Sequence, residues 1–122
     1  MVDAAEAMRG NPLPPLYRAS RVPGEPGSII YKPEPWAGKG IEEFANPWMV
    51  VERGCGDCDD LVIYRGAELI AAGYPCHARI LHDTKTNKYH TQIARDFGPP
   101  CAEDPCLQRL GKPVSQWLIP LF

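Results

Sequence analysis

What is missing from these 122 residues narrows the field before any motif is read. No apolar run approaches the ~18 residues from which a membrane-crossing helix is inferred, so none is expected. There is no excess of positive charge. Thirteen Lys and Arg against fifteen Asp and Glu leave a net charge of −2, which argues against a nucleic-acid partner held by phosphate neutralisation. The opening residues, Met1 to Arg9, are acidic and lack a long apolar core. The expectation is therefore no secretory leader and a cytoplasmic location. Histidine is scarce, with three in the chain, so any imidazole base must be His77, His82 or His90. Cysteine occurs five times, an odd number. Without an export signal these read as reduced thiols or metal ligands before disulfides. No internal repeat is present, and the length fits one domain, or one domain with a tail.

What is present centres on Gly54-Cys55-Gly56-Asp57-Cys58-Asp59-Asp60. Two glycines and short polar residues make a turn, and the apolar run that follows reaches Ala72 with no proline. Apolar side chains at 61–64, 67 and 69–72 cover nearly the whole helical circumference, so the helix is expected to be central and buried. Asp57 fits as N-cap and Asp60 as the acid of a capping box. Gly73 fits as the C′ residue, with Pro75 two positions on. Cys58 then opens the helix, beside unpaired N–H groups and the positive end of the dipole. Such positions lower a thiol pKa from ~8.5 to roughly 3.5–7.5. Asp57, Asp59 and Asp60 pull the other way, so a nucleophilic Cys58 needs a histidine.

The rest of the chain frames this turn. Residues 1–28 read as a Pro-rich arm, opening with a short alanine-rich helix and then broken by Pro12, Pro14, Pro15, Pro23 and Pro26. Residues 29–122 read as the folded domain. Ser28 to Tyr31 suggests a short strand, Gly40 to Ala45 a helical turn, and Met49 to Glu52 a strand or helix after the Asn46-Pro47-Trp48 turn. Trp36 and Trp48 are candidates for the wall of a substrate groove. Cys76 to His82 and Lys88 to Ala94 read as two strands joined by a hairpin loop at Asp83–Asn87, with His90 on the face opposite Tyr89. Leu107 to Leu110 suggests a short helix stopped by Gly111. The apolar tail from Trp117 to Phe122 is expected either as a last strand or as a partner contact, and the arm likewise as a surface for a protein partner.

A nucleophilic thiol needs a base, and the base needs an acid to orient it. Cys58, His90 and Asp104 supply these in chain order, with Asp96 in reserve as the acid. This arrangement resembles the transglutaminase-like branch of the papain-like cysteine enzymes. The likeness covers roughly residues 48–106 and rests on Gly56-Asp57-Cys58-Asp59-Asp60, Gly73-Tyr74-Pro75, Ala78-Arg79, Tyr89-His90 and Asp104-Pro105. The resemblance implies an α+β fold in which a buried helix opens at the cysteine and packs on a small antiparallel sheet. It further implies acyl transfer on amide bonds by a Cys58-His90-Asp104 triad, as a peptidase, amidase or cross-linking enzyme acting on a protein or peptide, with no cofactor. Compact members of this family occur in bacteria and phages, which makes host cytoplasm or a virion the implied setting.

Two other readings compete. The same fold can serve as a non-catalytic subunit of a phage virion or other assembly, binding through arm and tail. Alternatively, Cys55-x-x-Cys58 has zinc-ligand spacing, and Cys76, His77, Cys101 and Cys106 supply further ligands for a zinc module.

Overall fold

The computed structural model describes residues 1–33 and 46–121. The helical turn expected at Gly40–Ala45 and the groove residue Trp36 lie outside the described residues. In chain order the elements are α1 (Val2–Gly10), a 3₁₀ turn (Leu16–Arg18), β1 (Ile30–Tyr31), α2 (Pro47–Arg53), β2 (Cys55–Gly56), α3 (Cys58–Ala71), β3 (Cys76–Asp83), β4 (Lys88–Arg95), β5 (Cys101–Glu103), α4 (Pro105–Arg109), α5 (Val114–Trp117) and β6 (Leu118–Pro120). This is a mixed helix-and-strand architecture, compatible with the α+β class. No helix among the described residues is long and apolar enough to cross a membrane.

The local signals explain where the elements begin and end. Met49 to Glu52, open between strand and helix, lies in α2. Asn46 caps it by accepting from the Met49 N–H at 3.0 Å, Pro47 stands in its first turn, and Gly54 ends it in the left-handed region at φ 72°. A proline with no N–H to lose and a glycine with no Cβ to clash suit those two positions. The turn that follows is pinned by a two-residue parallel pairing, Ile30 with Cys55 and Tyr31 with Gly56. Space is tight there: a Cβ on Gly56 would stand 3.0 Å from the Asp60 Cβ.

The main sheet is antiparallel, in the order β3-β4-β5-β6. The two strands read from alternation form its first hairpin, with Leu81 opposite His90. The apolar tail becomes β6, pairing Ile119 with Ala102.

α3 is apolar nearly all round because it is covered on both sides. Towards the sheet, Val62 and Leu69 cluster with Ile93 of β4. On the other side Leu61, Tyr64 and Ala67 meet Ala5 and Met8 of α1, Leu16, Ile29, Val50 of α2 and Cys106 of α4. Each large apolar side chain so buried contributes about 1.5–3 kcal/mol.

Residues 1–28 are part of that core. Prolines cannot donate backbone hydrogen bonds, and core side chains take up the segment's groups instead. The Tyr64 hydroxyl donates to the Pro14 carbonyl at 2.5 Å, and the Leu16 N–H donates to Glu68 Oε1 at 3.0 Å. The Arg109 guanidinium, 3% exposed, donates to the carbonyls of Leu16, Ala19, Ser20 and Ile29. The arm, expected as a surface for a protein partner, packs against the body of the chain, and the tail, expected as a last strand or a partner contact, forms β6.

Candidate active site

Helix α3 opens as its sequence dictates. The Asp57 side chain accepts from the Asp60 N–H at 3.0 Å, and the Asp60 side chain accepts from the Asp57 N–H at 3.2 Å, completing the capping box. Cys58 is therefore held at the first helical position, partly exposed, as a free thiol.

Strand β4 brings the base. Thr91 ties it to the helix start by donating from Oγ1 to Asp59 Oδ1 at 2.5 Å. His90, one residue earlier, places Nε2 at 2.5 Å from Asp104 Oδ2, which leaves Nδ1 for the sulfur of Cys58, with which the ring interacts.

Asp104 comes from the end of β5 and is 0% exposed. Its carboxylate is fully occupied: Oδ1 accepts from the Leu107 N–H at 3.2 Å as N-cap of α4, and Oδ2 accepts from His90 and from Gln92 Nε2 at 3.1 Å. The turn to a helix after Asp104-Pro105 is thus what orients the acid. Next to it Glu103, also 0% exposed, anchors β5 by accepting from Arg65 Nε at 2.8 Å, Arg95 Nε at 2.6 Å and the Tyr17 hydroxyl at 2.8 Å.

The electrostatics follow from these contacts. Cys58 is lowered from 9.0 to about 5. The largest cause is a hydrogen bond from the Cys106 thiol; burial opposes it, the His90 ring adds to it, Asp59 opposes, and the Thr91 N–H adds again. His90 is raised from 6.5 to about 10, first by its hydrogen bond to Asp104 and then by Cys58. Burial works against the Asp104 carboxylate, but the hydrogen bonds from His90, Gln92 and Leu107 outweigh it and hold its pKa below the ordinary value. Cys106, 2% exposed, is pushed far up by its bond to Cys58 and by burial, so it stays a thiol and a donor. These contacts favour a thiolate on Cys58 and an imidazolium on His90, with the Asp104 carboxylate behind the ring.

The other candidates fall elsewhere. Asp96 pairs with His77 Nδ1 at 2.9 Å on the exposed surface. His82 Nε2 lies 2.9 Å from Asn87 Oδ1, and its ring stacks on Tyr89. Trp48 packs against the same core as Cys58, and its buried indole N–H has no partner among the described residues. The five cysteines are not gathered as zinc ligands. Cys76 donates to the Gly66 carbonyl and Cys101 to that of Ala102. Cys55 lines a separate cavity of about 370 Å³ with Glu25, Ser28 and Arg53, away from His90. Among the described residues no group of three or more His, Cys, Asp or Glu stands ready to hold a metal ion.

Sequence reasoning missed three residues of this site. In sequence Cys106 stands out only as an alternative metal ligand, and Gln92 and Thr91 only as strand residues. Alternation around His90 carries a signal for Gln92, which shares its face; nothing local marks Cys106. No protein-family model matches the chain, and no curated protein matches it.

Proposed function

We propose that the chain is a cysteine-dependent acyl-transfer enzyme acting on amide bonds, of transglutaminase-like type on a papain-like fold. The observation that carries the reading is the line Asp104–His90–Cys58, with the sulfur favoured as thiolate at a helix start.

Cys58 thiolate attacks the amide carbonyl. The oxyanion formed is met by the Cys58 backbone N–H, one of the first-turn donors without an intrahelical partner. The Trp48 indole, without a partner among the described residues, is a candidate for a further donor beside the same core. Collapse breaks the C–N bond, and His90 gives its proton to the departing amine. The neutral ring, held by Asp104, then takes a proton from the acceptor as it attacks the thioester. Cys58 leaves as thiolate and His90 is again imidazolium. Water as acceptor makes a peptidase or amidase; an amine makes a cross-linker.

Iodoacetamide labelling against pH tests this. Cys58 is expected to label selectively, with an apparent pKa near 5, and His90→Ala is expected to move that midpoint towards the unperturbed ~8.5. Labelling of Cys58 no faster than of Cys101 or Cys106 would end the catalytic case.

A further inference from the structure

We propose that Cys58 and Cys106 form a two-thiol oxidation site, in which a hydroperoxide oxidises the Cys58 sulfur and Cys106 resolves it as an internal disulfide. The inference rests on the reading of Cys58 as a reactive thiolate and adds a regulation of the same site.

The geometry is asymmetric in the way such chemistry needs. Redox-sensing cysteines are acidic, accessible and set next to a second thiol. Cys58 is partly exposed at the start of α3. Cys106 is 2% exposed in the core against which Cys58 packs. Cys58 packs against the cluster that contains Cys106, and each of the two thiols is the foremost electrostatic influence on the other. Cys106 is placed by the same turn that places Asp104, two residues along in α4. The remaining cysteines are spoken for: Cys76 and Cys101 donate to carbonyls, and Cys55 lies on the wall of another cavity.

The steps balance. Cys58 thiolate attacks the peroxide, the O–O bond breaks, and Cys58 becomes a sulfenic acid. The peroxide leaves as an alcohol, or as water from hydrogen peroxide, with the proton supplied by His90. Oxidation removes the thiolate whose bond held the Cys106 proton most strongly. The now neutral His90 can accept that proton. The Cys106 sulfur attacks the Cys58 sulfur, the S–O bond breaks, and hydroxide leaves with the proton as water. The disulfide silences the nucleophile and shields it from irreversible oxidation until a reducing thiol restores it.

The test is hydrogen peroxide treatment of the reduced chain, followed by intact mass and a non-reducing peptide map. The wild-type protein is expected to lose the mass of two hydrogens and to yield a Cys58–Cys106 cross-linked peptide, with dithiothreitol restoring Cys58 alkylation in full. Cys106→Ser is expected to gain the mass of two or three oxygens at Cys58, without recovery. If that variant does not fold, the wild-type map decides alone. A link between Cys58 and Cys55, or Cys58 over-oxidised as fast in wild type as in Cys106→Ser, would overturn the proposal. Alkylation of the reduced protein separates the two ideas. If Cys58 is not preferentially labelled, the acyl-transfer reading fails; if it is labelled but never joined to Cys106, only the oxidation site fails.

Discussion

Burial and the carboxylate of Asp59 both work against a charge on the Cys58 sulfur, and hydrogen bonds from Cys106, His90 and Thr91 outweigh them. That balance has a consequence for stability, because each group titrates differently in the folded and unfolded chain. Cys58 is depressed from 9.0 to about 5, so its contribution is complete above about 9 and is lost as pH falls through about 5. His90 is raised from 6.5 to about 10, so its contribution is complete below about 6.5 and is lost as pH rises through about 10. Between those ordinary values, folding releases a proton at one group and takes one up at the other, and the sum is level. The pair's contribution should therefore rise from pH about 5 to about 6.5, stay flat to about 9, and decline towards about 10. Cys58→Ala should remove the acid limb and shrink the alkaline one. Urea denaturation of both proteins across pH checks this, and a wild-type-minus-variant difference with no acid limb would show that the thiolate is not formed in the folded chain.

A helix and a strand must be held in register for that pair to exist, and Thr91 is the tie between them. Its hydroxyl donates to Asp59 in the first turn of α3, and its N–H faces the Cys58 sulfur. Thr91→Val keeps the shape and the strand preference but loses the hydroxyl. A hydrogen bond to a charged group contributes about 1.5–3 kcal/mol. Asp59 is near enough to solvent to be rehydrated, so a loss of about 1.5 kcal/mol is expected by urea denaturation. The labelling advantage of Cys58 should shrink with it, and Thr91→Ser should restore both. Stability lost with labelling unchanged would mean that the tie fastens the fold but does not set the site. The two elements differ in how far they could be read from the chain. The start of α3 is local chemistry, with Asp57, Asp60 and Gly56 all within four residues, and the hairpin is local alternation around a short loop. Met49-Val50-Val51 suits strand or helix equally, and what makes α2 a helix is the Asn46-Pro47 entry and the Gly54 exit. The ties at Thr91, Gln92 and Cys106 join segments 12 to 48 positions apart in sequence, Thr91 with Asp59, Gln92 with Asp104 and Cys106 with Cys58. Only packing brings them together, and no spacing rule reports it.

For the molecule as a whole, the question is why a segment with so many prolines is ordered against the body that carries the site. Composition suggested an arm in need of a partner, since such stretches bury little. The answer lies in residues far along the chain, above all Arg109. Its guanidinium reaches four carbonyls between Leu16 and Ile29 and is nearly inaccessible to water, so burial lowers its pKa to about 10. The carbonyls it serves lie outside the strand pairings of the described residues. Arg109 also sits in α4, whose first residues hold Asp104 and Cys106, so the arm's anchor and the acid of the site share one short helix. Arg109→Met should leave the Ala19 and Ile29 carbonyls without a donor among the described residues, while those of Leu16 and Ser20 keep the N–H groups of Ala19 and Ile29. At about 1–3 kcal/mol for each that water does not reach, the cost is at least about 2 kcal/mol. That is a large share of the ~5–15 kcal/mol that holds a domain folded. Arg109→Lys, a single point of charge in place of a fork, should fall between. In limited proteolysis the Met variant should be cut first between residues 10 and 28, and it should unfold at lower urea. If instead it is cut no faster there than wild type and keeps its urea midpoint, the arm is held by the apolar contacts of Ala5, Met8 and Leu16 and the hydrogen bonds to Tyr64, Glu68 and Glu103, and the link from arm to α4 has no energetic weight.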